Sequence, residues 1–309
     1  MSQDTLINAK RSVFPIPPKG VFCIYMSKAK FGPAGTAESF KAMGYKKSTQ
    51  LGEYLTKFGL DHFEYQCGQG VRVSEGSAKE IGAALAEKNI TVSVHAPYFI
   101  SLSSLEEEKR LNSINYILQS AQAVNAMGGD RIVIHSGSCS KMTREEALEL
   151  AKDTMKKARA ALIEAGLEHI HCCPETMGKV NQLGDLNEVM ELCRLDESFI
   201  PCIDFGHLNA RTFGTIKDKA DYEEILDTIE NKLGSDRLKI FHSHFSKIEY
   251  TLKGGEKKHL TFEDTVYGPQ FEPLMELVYK KGLAPTFVCE SAGTQTEDAK
   301  AMKDYYLSL

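Results

Sequence analysis

The chain has 309 residues, of which 42% are hydrophobic and 26% charged, with a formal net charge of -5. That length suits about two domains by a simple prior, but α/β barrels of roughly 250 residues or more fold as one. The acidic balance excludes a broadly basic nucleic-acid surface, and no apolar run approaches the roughly 18 residues of a membrane span. The eight cysteines lack the compact spacing of a disulfide framework, and residues 1–20 lack an apolar signal core, so a soluble protein of the reducing cytoplasm is expected. Cys23, Cys172, Cys173, Cys202 and Cys289 then read as small core hydrophobes.

Residues 1–20, with Pro15, Pro17 and Pro18, read as an irregular extension, and 21–309 as the folded domain. Strand-like runs alternate there with amphipathic stretches. The first strand lies within 21–31 with a helix near 48–58, and the second is 62–66 with a helix near 77–88. Strands at 91–95 and 131–135 precede helices near 105–127 and 144–165. Strands at 169–173 and 200–204 precede helices near 186–193 and 222–233. The last two pairs are 238–243 with 270–280 and 285–290 with 297–305. Gly128-Gly129, Gly166 and Gly282 stand where helices stop. Eight such pairs predict a single-domain (β/α)8 TIM barrel with a parallel sheet.

Six of the runs end in a residue able to bind a metal: His95, His135, Glu175, Asp204, His242 and Glu290. In such a barrel the functional groups come from the carboxyl ends of several strands. Three His, two Glu and one Asp converging there suit divalent cations of hard to borderline character. Read singly, each residue has a plainer role; Asp204, for instance, can cap the turn that follows it. His207 lies three residues beyond Asp204 in the loop that follows, His259 lies in the Gly-rich loop 254–264, and His244 shares a strand face with His242 by the two-residue side-chain period. A carboxylate leaving a buried strand, as Glu175 does, needs a cation or several donors to offset its desolvation.

The order and placement of these motifs resemble the endonuclease IV family of metal-dependent apurinic/apyrimidinic endonucleases, from about Lys30 to the C-terminus. The resemblance implies a xylose isomerase-like barrel holding two or three zinc ions, with manganese as the alternative. It implies that His95 and His135 bind a first ion and that Glu175 bridges to a second held by Asp204, His242 and Glu290. A third would use His207 and His259. Glu175 and Glu290 are implied as the catalytic carboxylates, and Tyr98 with Gln69 or Arg72 as side chains that enter the duplex. One motif departs from the family: where Asp-Arg-His is expected, the chain reads Lys257-Lys258-His259, so a cation replaces the third carboxylate unless Glu256 takes its place by a one-residue shift.

The implied reaction is hydrolysis of the phosphodiester 5' to an abasic site in double-stranded DNA, by a monomer without membrane contact. An abasic nucleotide leaves the stack more cheaply than a paired base, which gives one source of selectivity. A sugar or sugar-phosphate isomerase or epimerase on the same barrel is the first alternative, acting on a small sugar. A barrel that binds damaged DNA without turning it over is the second.

Overall fold

The computed structural model describes residues 28–309, and in it eight parallel strands follow one another around a barrel. They are β1 (Lys30–Pro33), β2 (His62–Gln66), β3 (Thr91–His95), β4 (Arg131–His135), β5 (His171–Glu175), β6 (Cys202–Asp204), β7 (His242–Phe245) and β10 (Thr286–Cys289). Hydrogen bonding runs β1-β10-β7-β6-β5-β4-β3-β2. The ring is closed between β1 and β2 by a parallel bridge from Ala34 to Glu64 and by backbone bonds from Gly35 N to Glu64 O and from Asp61 N to Phe31 O, at 2.9 and 3.0 Å. Gly32 makes that closure possible: a Cβ there would stand 1.9 Å from the His62 carbonyl oxygen. The expected extension, and most of the expected first strand with Cys23, lie outside the described residues.

The helices pack outside the barrel. They are α1 (Glu38–Ala42), α2 (Leu51–Phe58), α3 (Glu75–Ala86), α4 (Glu107–Ala126), α5 (Arg144–Glu164), α6 (Leu186–Cys193), α7 (Phe205–Arg211), α8 (Lys219–Leu233), α9 (Ser235–Lys239), α10 (Glu272–Lys281) and α11 (Gln295–Ser308). Capping boxes start several of them where the sequence signals it, Thr143 with Glu146 at α5 and Asp185 with Glu188 at α6. The helices bury their apolar stripes on the sheet, with Leu85, Ile117, Met155, Leu162, Leu226 and Met302 in the main core. Among the described residues no helix is long and apolar enough to cross a membrane. The seven described cysteines are buried and free, and burial pushes the Cys172 thiol up to about 12.

Three local readings are corrected. The expected strand at 238–243 starts late: residues 235–239 form α9, and β7 begins only at His242, whose N–H bonds to the Pro201 carbonyl. The segment around His207, read as loop, is α7, because the Asp204 side chain accepts from His207 N at 2.7 Å and caps it. The Gly-rich loop before His259 is an antiparallel hairpin of β8 (Lys247–Thr251) and β9 (Gly255–Leu260), with a bulge opposite Glu249 and Tyr250.

That hairpin rises beside the barrel mouth and is tied to the loop after β5. Glu256 N bonds to Gly178 O and Val180 N to Gly254 O, each at 3.1 Å. Two arginines hold the same loop from behind. Arg211 donates to the carbonyls of Met177 and Lys179, and Arg144 to those of Val180 and Gln182, while its guanidinium also pairs with Glu188 at 2.7 Å.

Candidate metal centre

At the carboxyl ends of the strands, parallel register sets β3, β4, β5, β6 and β7 side by side, so that His135 lies opposite Glu175 and Asp204 opposite His244. The residues collected there line a cavity of about 570 Å³ whose wall includes His95, His135, Glu175, His207, His259 and Glu290. Glu175 is its centre. His95 Nε2 and His135 Nε2 stand 3.4 and 3.3 Å from Glu175 Oε2, and His244 Nδ1 and His207 Nδ1 stand 3.1 and 3.3 Å from Oε1.

The donor atoms fall into sets compact enough to hold an ion. His95, Glu175 and His244 make one, Glu175, Asp204, His244 and Glu290 a second, His207, Glu256 and His259 a third, and Cys202, His242 and His244 a fourth away from Glu175, with all ligand atoms of each set within 4.8 Å of one another. Despite the short distances, Glu175 Oε2 and Asp204 Oδ2 are buried with no hydrogen bond from any described residue. Buried carboxylate oxygens cost several kcal/mol unless satisfied, and a cation supplies what neighbouring protons do not. The imidazole orientations agree with this. His95 Nδ1 donates to Ala96 O at 2.8 Å and His207 Nδ1 lies 3.0 Å from Thr176 O, which leaves each Nε2 lone pair facing the cavity. The residues therefore fit divalent ions.

Electrostatics divides the histidines. Burial pushes His135 down to about 3 and His242 to about 4, so both are neutral near pH 7. Burial opposes charge on His207 as well, but Asp204, Glu175 and Glu256 override it and raise the group well above the usual imidazole range. His244 is raised in the same way against burial by Cys202, Glu290, Glu64 and Glu175. Glu175, which burial alone would push up, is held well below the carboxylate range by His244, His207 and His95.

Of the residues singled out in the sequence, His95, His135, Glu175, Asp204, His207, His259 and Glu290 are brought together. His242 is not. It sits one layer deeper in the barrel, grouped with Cys202 and His244 and with Nε2 3.0 Å from Glu64 Oε2, and it is His244 that stands with Glu175, Asp204 and Glu290, where the sequence reading put His242. Both rings point inward because strand side chains alternate, so the strand face alone could not choose between them. Tyr98 stands over the site, its ring centroid 5.1 Å from that of His95 and 5.4 Å from that of His135. Its hydroxyl donates to Gln66. Gln69 and Arg72 are exposed and are absent from the cavity wall, where Gln66 and Lys179 stand instead.

The third set explains the departing motif. Strand β9 is bulged at Lys257, since Tyr250 pairs with Glu256 and Glu249 with Lys258. The extra residue keeps Glu256 and His259 on one face although three positions separate them. Glu256 Oε2 lies 3.5 Å from His207 Nε2, and the His207 and His259 rings are 5.4 Å apart. Lys257 turns outward, 56% exposed and paired with Glu249. The one-residue shift anticipated for Glu256 is the arrangement found. Gly178 leaves the room for it, because a Cβ there would lie 2.7 Å from Glu256 Cβ and 2.8 Å from His207 Cδ2.

Comparison with known proteins gives one family model, described as xylose isomerase-like TIM barrel, matching residues 53–305. An uncharacterised protein of Methanocaldococcus jannaschii is 32% identical over 89% of this chain and 96% of its own length. A probable endonuclease 4 of Mycoplasma pneumoniae is 30% identical over 60% of this chain, which spans 62% of that protein, less than two thirds. Among solved structures, endonuclease IV from Thermus thermophilus has a TM-score of 0.65 at 17% identity, covering 91% of this chain and 100% of that one. The 3-keto-D-glucoside 4-epimerase of E. coli has the same TM-score at 16% identity, with the same coverage, 91% and 100%. At such identities the structures share the fold alone.

Proposed function

The chain belongs to the xylose isomerase-like TIM barrel family, and from that premise we propose that it is a multinuclear metal-dependent phosphodiesterase of endonuclease IV type, cleaving DNA 5' to abasic sites. The observation that carries this reading is the meeting of three donor sets around Glu175. One ion stabilising an enediolate would need only the Glu175, Asp204, His244 and Glu290 set. His95 with His135, and His207 with Glu256 and His259, are surplus to that task and suit a centre that surrounds a phosphoryl group. The similarity to the probable endonuclease 4 of M. pneumoniae supports the same class.

Zinc, or manganese in its place, would lower the pKa of a water and neutralise charge gathering on phosphate oxygens. The chain's own residues hold and shape that chemistry. Glu175 offers one oxygen to the His95 and His135 side and the other to the His207 and His244 side. Glu290, with Oε1 3.5 Å from His244 Nδ1, would orient the attacking water. Asp204 serves both roles weighed for it, one oxygen capping α7 and the other left for a cation. Tyr98 covers His95 and His135, and Lys179, exposed on the cavity wall, offers a cation to a phosphate.

A sugar isomerase or epimerase is the second reading, favoured by the acidic net charge and by a cavity whose volume suits one small molecule. Zinc- or manganese-loaded protein should nick a duplex carrying one tetrahydrofuran abasic analogue, and should leave a panel of ketohexoses unchanged. Lys179→Ala should weaken duplex binding and flatten its salt dependence by about one unit of slope. Epimerised sugar with intact duplex would overturn the proposal.

A further inference from the structure

We propose that Glu64 is a positioning residue that sets the tautomer and orientation of His244 for the metal centre. The inference shares with the reading above only the assignment of His244 as a ligand. Glu64 lies on β2 inside the barrel, fully buried, where such barrels ordinarily carry branched apolar side chains. An ionised carboxylate in that layer is costly unless donors surround it, and here they do. Ser93 Oγ donates to Oε2 at 2.8 Å, Gln66 Nε2 donates to Oε1 at 3.2 Å, and His242 Nε2 lies 3.0 Å from Oε2. His244 Nε2 faces Oε1 at 2.9 Å as an ion-pair contact outside hydrogen-bond alignment.

His244 thus has a carboxylate at each end of its ring, Glu64 at Nε2 and Glu175 at Nδ1. The Glu64 carboxylate facing Nε2 favours the proton on that nitrogen, and loss of the proton that Nδ1 shares with Glu175 Oε1 would leave the Nδ1 lone pair for an ion among Glu175, Asp204 and Glu290. Metal-binding histidines characteristically give their second ring proton to such an acceptor, which fixes the ring and raises its basicity. Glu64 is itself tethered. Because the Ser93 hydroxyl spends its proton on Glu64, it accepts from His62 Nε2 at 2.9 Å, and the other His62 nitrogen reaches Thr91 at 2.9 Å. His242, with its ring on Glu64, becomes the second tether of this carboxylate.

The test titrates the metal-free full-length chain with Co2+ as the probe, following affinity and the visible absorption of the bound ion. Glu64→Gln preserves shape and removes charge, and Ser93→Ala removes one tether while leaving the carboxylate. Glu64→Gln should weaken Co2+ about 10- to 100-fold and alter its absorption, and Ser93→Ala should move both readouts the same way by less. Wild-type affinity and absorption in Glu64→Gln, with only thermal stability changed, would reduce Glu64 to a packing residue and overturn the proposal. If Glu64→Gln fails to fold, Ser93→Ala decides by the same criterion. A wild-type chain that binds no Co2+ overturns both this assignment and the proposed function. Co2+ binding sensitive to Glu64, in a protein that leaves abasic DNA intact, overturns the proposed function alone.

Discussion

Replacing Gly178 by alanine separates the third donor set from the two that contain Glu175. The added methyl would lie 2.7 Å from Glu256 Cβ and 2.8 Å from both Glu256 Oε2 and His207 Cδ2. Carbon atoms rest about 3.5 to 4.0 Å apart, so the shortfall is roughly 1 Å. The Glu256 Oε2 contact can be relieved by rotating a side chain. The Cβ contact cannot, and the Gly178 to Glu256 backbone bond opposes retreat of the strand. Metal–ligand distances tolerate only about 0.2 Å, so a retreat of roughly 1 Å takes Glu256 out of reach of an ion shared with His207 and His259. Overpacking of this kind costs about 1 to 3 kcal/mol, which lowers Tm by about 2 to 4 °C for each kcal/mol in chains somewhat shorter than this one. Zinc content at controlled free zinc should fall by one ion per chain, with the remaining ions held as before. Gly76→Ala, in α3, whose new methyl meets nothing within 4 Å, is the control: it should leave zinc content unchanged and not lower Tm, since alanine in place of a helix glycine stabilises. A lowered Tm with full zinc content and unchanged affinity would refute the role given to Glu256.

Three further outcomes are expected. Glu175→Gln and Asp204→Asn should each lower metal content and abolish cleavage while leaving a folded barrel by circular dichroism, and unchanged metal content in either would refute its assignment as a ligand. Lys257→Asp should leave metal stoichiometry unchanged, because the side chain points away from the site toward Glu249; a gain of one tightly bound ion would show that position 257 faces the centre after all. Metal affinity should weaken as pH falls. His95, His207 and His244 have raised pKa values and hold protons that binding must expel, whereas His135 at about 3 has none to lose. Zinc added in weak buffer near pH 7 should release up to about three protons per chain from these rings, and affinity independent of pH between about 6 and 8 would contradict the sign.

The barrel was legible because six of its eight strands announce themselves twice, by an apolar run and by a polar residue at or beside its end. His95, His135, Glu175, Asp204 and Glu290 could be placed on one rim from that pattern. The choice between His242 and His244 could not be made so, since both satisfy the strand period and only depth in the barrel distinguishes them. Glu64 carried no signal, as an acidic residue within His-Phe-Glu-Tyr-Gln reads as the solvent face of a half-exposed strand. Its inward aim follows from closure of the barrel, a long-range property. The β8 and β9 hairpin was read as loop because Gly254-Gly255 and two lysines mask its alternation.

The bulge at Lys257 also bears on how such chains are searched for. In a regular strand, residues an odd number of positions apart face opposite ways, and residues an even number apart share a side. One inserted residue reverses that parity. Here the acid and the histidine are three apart and still agree in direction, whereas an aspartate two positions before the histidine would agree without any insertion. A search pattern that fixes the interval therefore rejects a chain that preserves the arrangement, and one that counts parity along the strand, allowing for a bulge, retains it.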